Sequence, residues 1–433
     1  MSDKFQPPRG TRDFLPEEMI LREKVFDTVK RVFRRYGYDP AKTPAFENFE
    51  LFARKESIGE GEQDKLYVFE DKSERKLALR FDQTVPLARL VATNPQLPKP
   101  FKRYEISRVW RYEDTRRGRY REFWQCDVDI VGSDNMSADA EIIDCALTIM
   151  KELGFEDCYV RINNRKLLSG IIRFAGVEED KVIDAFRAID KLDKIGIEGV
   201  RKELEDRGID NQTSEKIIEI IGIESEPKHV LSKVKDYFGN IKEGLEGVKE
   251  LEDLVDNLEM LGRLDIVLDI SLARGLDYYT STIFELMGKD ENIGSLAGGG
   301  RYDRMIGAFT GDKKEIPAVG IALGIERIID LLKERGGISQ KTYTKVFVIN
   351  VNDQVREKSL EIAQKLRESG INTQTDIMGR PLSKQLEYAN SLGIPYTIIV
   401  GPKEVESDKF KLKNMKTGEE TELSLEKITK TLS

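Results

Sequence analysis

Apolar positions near the start of the chain recur at helical spacing. Between residues 17 and 36 they fall three or four residues apart, at Leu21, Val25, Val29, Val32, Phe33 and Tyr36. This spacing predicts an amphipathic helix, and Gly37 is suited to end it. The same reasoning predicts a second helix over residues 134–153, ended by Gly154.

The middle of the chain changes its pattern twice. Residues 77–131 favour strands and turns, whereas residues 165–262 are rich in Lys, Glu, Ile and Leu and favour a helical insertion. Strand signals return at residues 264–270 and 281–286. PAVGIALG then leads into a helix whose apolar residues lie at i, i+3, i+4 and i+7, namely Ile325, Ile328, Ile329 and Leu332.

The last hundred residues differ again. Residues 334–344 are polar, rich in turn formers and without periodicity, which is typical of a linker. Strand and helix patterns alternate beyond them, from VFVINV at residue 346 to YTIIV at residue 396. This alternation predicts a separate α/β domain over residues 345–433.

The composition is that of a folded globular protein, with 39% hydrophobic and 34% charged residues among 433. No apolar run approaches the roughly 18 residues of a membrane span. The first residues lack the apolar core of a signal peptide. The three cysteines (Cys126, Cys145 and Cys158) show no C-x-x-C spacing, so we expect a cytoplasmic protein without a disulfide framework or a thiolate zinc site.

His229 is the one histidine in the sequence. A single imidazole excludes H-E-x-x-H zinc chemistry and multi-histidine metal sites, and it makes a Ser-His-Asp triad improbable. The sequence also lacks the G-x-x-x-x-G-K-[ST] and G-x-G-x-x-G signatures of P-loop and dinucleotide sites. Any catalysis must therefore depend on Arg, Asp, Glu, Tyr, Gln or a metal held by carboxylates.

An arginine-rich hairpin interrupts an otherwise acidic chain of net charge −8. Residues 104–113 and 119–131 are predicted strands joined by an arginine-bearing loop. Alternation places Gln125, Asp127 and Asp129 on one face of the second strand, and Arg111 with Glu113 on one face of the first. A solvated sheet face is the ordinary explanation of such a pattern, and it stays open at this point.

Three further passages carry the same kinds of side chain: RFDQT (80–84), ARGLDYYT (273–280) and AGGGRYD (297–303). Turns, packed aromatic rings and loop glycines would explain each one separately. Together they supply guanidinium groups for phosphates, carboxylates for an ammonium group and phenols for a small polar ring.

These passages resemble the histidyl-tRNA synthetase family, which belongs to the class II aminoacyl-tRNA synthetases. The similarity includes RGTRDFLP at residue 9, TPAFE as motif 1, RVWRYEDTRRGRYREFWQCDVDIVG as motif 2 and VGIALGIER as motif 3. ARGLDYYT and GGGRYD are specific to the histidine enzymes, and RINNRKLL and AIDKLDKIG resemble the archaeal and eukaryotic branch. The chain departs from that branch at Phe81, Gln83 and Trp124, where tyrosine, leucine and tyrosine are expected.

The resemblance implies an α+β class II core, an antiparallel sheet flanked by helices, over residues 1–333. Its motifs 1, 2 and 3 would lie near residues 43–60, 103–131 and 317–332. A helical insertion would occupy residues 165–262 within this core, and residues 345–433 would form an α/β anticodon-binding domain. We expect the insertion to contact tRNA, because a pocket that hydrogen-bonds both imidazole nitrogens makes editing unnecessary.

The implied activity is ligation of L-histidine to tRNA(His) through a histidyl-adenylate, with ATP as substrate, Mg²⁺ on its phosphates and a homodimer built by motif 1. Arg274 would be the electrostatic catalyst, and no metal would be held by protein ligands. The resemblance assigns histidine binding to Asp82, Thr84, Arg111, Gln125, Asp129, Tyr278, Tyr279 and Tyr302. It assigns ATP binding to Arg111, Glu113, Arg119 and Arg327, and contact with the tRNA acceptor end to Arg116 and Arg117.

Two other functions are compatible with the same fold. A catalytically silent, synthetase-like regulatory protein would sense histidine or tRNA, but such proteins tend to lose the catalytic arginine or the C-terminal domain. This chain has both Arg274 and residues 345–433. A class II ligase for another amino acid is disfavoured by ARGLDYYT.

Overall fold

Local sequence patterns account for most helices in the computed structural model, which describes residues 5–54, 57–58, 60–116, 118–273, 278–288, 294–311, 314–336 and 340–433. Glu17 and Glu18 lie in the first turn of α1 and Arg34 and Arg35 in its last, which complements the helix dipole. The helices of the described residues are α1 (Pro16–Arg35), α2 (Phe49–Ala53), α3 (Thr84–Thr93), α4 (Met136–Glu152), α5 (Arg165–Ala175), α6 (Val182–Ile189), α7 (Leu192–Asp206), α8 (Asn211–Ile221), α9 (Pro227–Phe238), α10 (Lys242–Met260), α11 (Met305–Thr310), α12 (Ile325–Glu334), α13 (Arg356–Glu368), α14 (Leu382–Ser391), α15 (Pro402–Ser407) and α16 (Leu425–Leu432).

The strands of the same residues form three sheets. They are β1 (Asp39–Pro40), β2 (Phe46–Asn48), β3 (Val68–Glu70), β4 (Lys76–Leu79), β5 (Phe101–Trp110), β6 (Glu122–Val131), β7 (Cys158–Asn164), β8 (Ile266–Leu268), β9 (Thr282–Gly288), β10 (Ser295–Arg301), β11 (Ala318–Gly324), β12 (Val346–Asn350), β13 (Thr373–Thr375), β14 (Tyr396–Val400), β15 (Phe410–Asn414) and β16 (Glu420–Leu423).

The largest sheet has the strand order β1-β5-β6-β11-β10-β9-β7-β8. Its outermost pairs, β1 with β5 and β7 with β8, are parallel, and the pairs between them are antiparallel. In this order β6 lies between β5 and β11, and β10 lies next to β11. The sheet therefore brings the predicted motif 2, motif 3 and the glycine run side by side, although 160 or more residues separate β6 from β10 along the chain.

Helices α5 to α10 lie between β7 and β8 in the sequence, within residues 165–262. Because β7 and β8 pair directly, the helical segment leaves and rejoins the same edge of the sheet. Gly244 and Gly170 lie so close together that a Cβ on Gly170 would come 2.5 Å from the Cα of Gly244. Small residues at this crossing let α5 and α10 pack closely.

The chain forms two compact units, residues 1–12 with 25–332 and residues 13–24 with 333–433. The second unit contains the five-stranded sheet β13-β12-β14-β15-β16, whose central strands are buried on both sides. It also includes the first half of α1, where Glu23 accepts a hydrogen bond from Tyr343 and Lys24 donates one to Gln340. None of the described helices is long and apolar enough to cross a bilayer.

Two local predictions were wrong, and one open alternative is settled. Residues 84–93 form helix α3, where a strand-and-turn region was predicted. The strands of the arginine-rich hairpin are shorter than predicted, so Arg111 and Glu113 lie beyond the end of β5 and share no strand face. The open alternative concerned the glycine run: residues 298–300 belong to strand β10 and are not loop glycines.

Candidate active site

A polar pocket opens between strands β6, β10 and β11 and the start of helix α3, with a volume of about 100 Å³. It brings together all eight residues to which the resemblance assigned histidine binding. Five further residues line it that the sequence analysis did not assign to the site. The lining residues are Asp82, Thr84, Arg111, Gln125, Asp127, Asp129, Tyr278, Tyr279, Gly298, Tyr302, Gly320, Ile321 and Ala322.

Asp82 and Thr84 reach the pocket from the N-terminal end of α3. Oδ1 of Asp82 accepts a hydrogen bond from the backbone N–H of Val85 at 3.0 Å, so this carboxylate caps the helix. Its Oδ2 atom is buried and has no hydrogen-bond partner within the described chain. Burial raises the pKa of Asp82, and the nearby charge of Arg111 opposes this shift.

The polar face of β6 is buried, which rules out a solvated sheet face. Gln125, Asp127 and Asp129 alternate along the strand as predicted, and the exposed fraction is 8% for Gln125 and 2% for each aspartate. The opposite face is apolar, with Cys126, Val128 and Ile130 in the core. Because Gln125 and the two aspartates line the pocket instead of facing water, their hydrogen-bonding capacity is available to a ligand.

Asp129 is oriented from two sides. Its Oδ1 atom accepts a hydrogen bond from the hydroxyl of Tyr302 at 2.6 Å, and its Oδ2 atom lies 3.1 Å from Nη2 of Arg103. Burial raises the pKa of Asp129, whereas Arg103 and the Tyr302 hydrogen bond act to lower it. Gly320 lies directly opposite on β11, where any Cβ would overlap Oδ1 of Asp129.

A buried ionic network formed by two residues of β5 and by Arg80, which directly follows β4, supports this aspartate and was missed by the sequence analysis. Arg103 lies 3.5 Å from Glu105, and Glu105 forms a 2.8 Å ion pair with Arg80. The pKa of Arg103 is raised: burial alone would lower it, but the charges of Asp129 and Glu105 outweigh that effect. The polar residues at positions 103, 105 and 107 of β5 lie opposite those at positions 129, 127 and 125 of β6. The same alternation in both strands is the sequence signal that could have revealed the contact between Arg103 and Asp129.

Three tyrosines complete the pocket. The ring centroid of Tyr278 lies 4.7 Å from that of Tyr279 and 6.2 Å from that of Tyr302. A Cβ on Gly300 would come 2.7 Å from the Tyr279 ring, so this glycine lets the ring pack against β10. Arg301, which precedes Tyr302 in the AGGGRYD passage, does not line the pocket. It is buried in an ion pair with Asp139.

Arg111 lies at the mouth of the pocket. Its Nε atom donates to the backbone oxygen of Phe81 at 3.0 Å, and its guanidinium stacks 4.3 Å from the Phe81 ring and 5.3 Å from the Phe123 ring. These contacts fix the plane of the guanidinium while its terminal nitrogens can still bind an anion.

The other candidate ATP ligands lie near the motif 2 loop, which we define as residues 111–121. Glu113 is 3.6 Å from Arg119, and Arg119 is joined to Arg116 by backbone hydrogen bonds of 2.8 and 3.1 Å. Arg327 donates to the backbone oxygen of Ser295, and a Cβ on Gly118 would come 3.3 Å from its Cγ atom. None of these four side chains lines the polar pocket, so the arginine-bearing group, which we call the basic side, is distinct from the pocket lining.

Two predicted residues, Arg274 and Arg117, lie outside the described residues. Among the described residues there is no group of three or more His, Cys, Asp or Glu that could hold a metal ion.

Residues 10–328 match the family model described as histidyl-tRNA synthetase, and residues 345–433 match the anticodon binding domain. The histidine–tRNA ligase of Aeropyrum pernix is 44% identical to this chain, over 98% of the chain and 97% of the relative. The chain belongs to the histidyl-tRNA synthetase family. It is therefore an enzyme of the class II aminoacyl-tRNA synthetases, as the resemblance predicted.

Solved structures agree with this assignment. The crystal structure of histidyl-tRNA synthetase from Nostoc sp. PCC 7120 matches all of this chain with a TM-score of 0.87 and 34% identity, and this chain covers all of it. A Bacillus halodurans structure titled as an ATP phosphoribosyltransferase regulatory subunit/histidyl-tRNA synthetase has a TM-score of 0.76 at 22% identity. It covers 90% of this chain and 97% of its own length, and it shows a shared fold alone.

Proposed function

We propose that this synthetase activates L-histidine with ATP and transfers it to tRNA(His). The observation that carries the proposal is a set of buried acceptor atoms in the polar pocket. Within the described chain, Oδ2 of Asp82 and Oε1 of Gln125 have no hydrogen-bond partner. Oδ2 of Asp129 accepts no hydrogen bond there either, although it forms an ion pair with Arg103 at 3.1 Å. A ligand with several N–H donors, such as the α-ammonium and imidazole of histidine, would satisfy them.

Charge favours the same ligand. Four buried carboxyl groups and three guanidinium groups surround the pocket among the described residues, in Asp82, Glu105, Asp127, Asp129, Arg80, Arg103 and Arg111. This excess of acidic groups favours a cation. Asp82, Thr84 and Gln125 would hold the α-ammonium, and Asp129 would hold one imidazole N–H.

The three tyrosines of the pocket would also help to bind the imidazole. Tyr302 donates to Oδ1 of Asp129 and Arg103 lies 3.1 Å from Oδ2, so an imidazole N–H would share this oriented carboxylate with them. Tyr278 and Tyr279 would border the ring of the substrate. A side chain without two ring nitrogens would leave these buried groups unsatisfied, which is the physical basis of selectivity without editing.

The basic side would hold ATP. Arg111 lies where the carboxylate of the amino acid and the α-phosphate would meet, Glu113 would orient the adenine, and Arg119 and Arg327 would bind the phosphates. Arg327 lies in the first turn of α12, where backbone N–H groups also favour an anion. We propose that Mg²⁺ is held mainly by the β- and γ-phosphates and water.

The chemistry needs no general base in its first step, because the histidine carboxylate is already the nucleophile. Its oxygen attacks the α-phosphorus, and pyrophosphate leaves. The 3′-terminal hydroxyl of tRNA then attacks the carbonyl carbon, and AMP leaves. Alignment and charge stabilisation by Arg111, and by Arg274 as the resemblance implies, would supply the acceleration.

ATP–pyrophosphate exchange with each of the twenty amino acids tests the proposal. Exchange with histidine alone supports it. Exchange with another amino acid would contradict the substrate assignment, and absence of exchange with any amino acid would favour the regulatory alternative.

We further propose that the motif 2 loop contacts the acceptor end of the tRNA. Arg116 is exposed in this loop, and Arg117 follows it in the sequence. Replacing both with alanine is expected to leave exchange unchanged and to weaken aminoacylation. Each lost phosphate contact should also lower the salt dependence of log K by about 0.7–0.9. Charging kinetics that stay unchanged over a range of salt concentrations would show that these arginines are merely solvated.

The C-terminal unit offers a contact for the other end of the tRNA. Ile377 and Met378 are 85% and 73% exposed, on a turn that Asp376 fixes by hydrogen bonds of 2.6 and 2.7 Å to Arg380. Apolar side chains held out in this way can pack against the face of an unpaired base and remove it from water. Replacing both with serine is expected to raise KM for tRNA about tenfold, because burying an apolar side chain such as Ile or Met contributes roughly 1.5–3 kcal/mol.

Leu360, which is exposed on α13, is the matched control for that variant. Leu360→Ser should leave KM for tRNA unchanged, and both variants should retain wild-type exchange. Equal effects of the two variants would place the RNA contact elsewhere.

We also propose that the helical segment α5–α10 contacts tRNA.

We propose a homodimer in the cytoplasm. The strands near motif 1 expose Phe46, Val68 and Phe69, and the rings of Phe46 and Phe69 lie 6.0 Å apart. A contiguous apolar surface of this kind favours association with a second copy. The three cysteines are free and buried thiols, as expected in a reducing compartment. Light scattering that gives a mass of one chain would contradict the dimer.

A further inference from the structure

A segment near the N-terminus lies against the beginning of β6. The backbone oxygen of Gly10 accepts hydrogen bonds from the N–H groups of Arg121 at 2.9 Å and Glu122 at 3.4 Å. Gly10 has φ +88°, and a Cβ there would come 2.6 Å from Cγ of Arg121. Both the left-handed backbone and the close approach require glycine.

The same stretch of backbone is held from its other side as well. The backbone oxygen of Arg121 accepts a hydrogen bond from the N–H of Arg111 at 3.0 Å. The side chain of Arg121 donates from Nε to the backbone oxygen of Glu113 at 3.2 Å and lies 3.9 Å from the Tyr112 ring. Arg121 therefore links the N-terminal segment to Arg111 and Glu113, which are two candidate ATP ligands.

Arg12 extends these contacts through its side chain. Its guanidinium pairs with the buried carboxylate of Glu326 and lies 3.6 Å from the centroid of the Tyr120 ring. Glu326 in turn accepts a hydrogen bond from the backbone N–H of Trp124 at 3.3 Å. One guanidinium thus joins the N-terminal segment to the start of β6 and to the first turn of α12.

The residues that Arg12 contacts are neighbours of the nucleotide-side arginines. Tyr120 follows Arg119 in the chain, and Glu326 precedes Arg327. The loop glycine Gly118 packs against the stem of Arg327, so the two arginine-bearing segments also approach each other directly. Tyr120 and Glu326 are not among the residues that line the polar pocket.

We propose that Arg12 is a positioning residue for ATP: through Glu326 and Tyr120 it holds the motif 2 loop and the first turn of α12 in the relative arrangement that ATP binding requires. This inference rests on the proposed function. It assigns to the N-terminal segment a role in nucleotide binding that is separate from recognition of histidine.

Arg12→Ala is expected to raise KM for ATP about tenfold in pyrophosphate exchange and to leave KM for histidine within about twofold, because displacement of binding groups by a fraction of an ångström weakens alignment steeply. Calorimetric titration with ATP in the absence of histidine should show the same loss of affinity. Arg12→Lys should restore part of it, since lysine keeps the ion pair but cannot stack its planar group on Tyr120.

Two comparisons make the test specific. Arg9→Ala removes an exposed arginine of the same segment and should leave both KM values unchanged. Glu326→Gln keeps an oxygen for the Trp124 N–H but loses the ion pair with Arg12. If Arg12 acts through Glu326, the double variant Arg12→Ala/Glu326→Gln should be no worse for ATP than the more impaired single variant.

Equal increases in both KM values, or a lowered melting temperature with unchanged ATP affinity, would overturn the proposal. If Arg12→Ala fails to fold, Arg12→Lys and Glu326→Gln give the same comparison between the two substrates. Failure of the proposed function is distinguishable, because it would appear as a wild-type chain that catalyses no exchange with histidine. Calorimetry would then still report whether Arg12 supports ATP binding.

Discussion

Arg111→Ala is expected to lower the rate of histidine-dependent ATP–pyrophosphate exchange about 10²- to 10³-fold, the usual effect of losing one preorganised electrostatic group. The reason is the fixed geometry of this guanidinium. Its Nε atom is bound to the backbone of Phe81, and aromatic rings on two sides hold its plane. It therefore needs little reorganisation when charge develops at the α-phosphate.

Arg108 offers a matched control for this prediction. It lies on β5, three residues before Arg111, and its guanidinium is 5.2 Å from the Trp124 ring and paired with Glu122. It is half-buried and does not line the pocket. Arg108→Ala should change exchange less than about threefold, because its ion pair with Glu122 is partly solvated and outside the pocket. Equal losses in the two variants, or a loss in Arg111→Ala matched by a lowered melting temperature, would remove Arg111 from the chemistry.

Asp129→Asn is expected to raise KM for histidine about 10- to 100-fold, because hydrogen bonds to a charged group contribute roughly 1.5–3 kcal/mol. The substitution keeps the size of the side chain and its hydrogen bond with Tyr302. It removes the negative charge that faces Arg103 and, in the proposed complex, an imidazole N–H. KM for ATP should change less than about twofold, since the basic side of the site is untouched.

Asp134→Asn is the control for this substitution, because Asp134 is exposed just beyond the end of β6. It should leave both KM values unchanged. If Asp129→Asn impairs ATP and histidine equally, Asp129 is a structural residue and the imidazole assignment is wrong. Thermal unfolding of both variants separates loss of fold from loss of binding.

Repeating patterns predicted the helices best. The predicted helices over residues 17–36 and 134–153 became α1 (Pro16–Arg35) and α4 (Met136–Glu152). Helical periodicity depends on contacts between residues three and four apart, so it is visible locally. Helix α3 was missed because it has only ten residues and is rich in valine and leucine, a composition that is also found in strands.

Strand alternation correctly placed Gln125, Asp127 and Asp129 on one face of β6. It could not tell whether that face met water or a pocket, because the answer depends on strands from residues 295–324 and tyrosines from residues 278–302. The partners of Asp129 show the same dependence. Arg103 meets it through the register of β5, and Gly320 through the register of β11.

The sequence by itself determined the family, the periodic helices, the alternation of β6 and the identity of the side chains that a histidine pocket needs. These features depend on residue type and on the spacing of residues that are close in the chain. Both properties are visible in the sequence without the structure. Only the tertiary structure decided which polar residues are buried, which acceptors lack partners and which arginine supports which carboxylate. Burial and pairing depend on strand register and on contacts between residues far apart in the chain, and Arg12 reaching Glu326 across 314 positions is the clearest case.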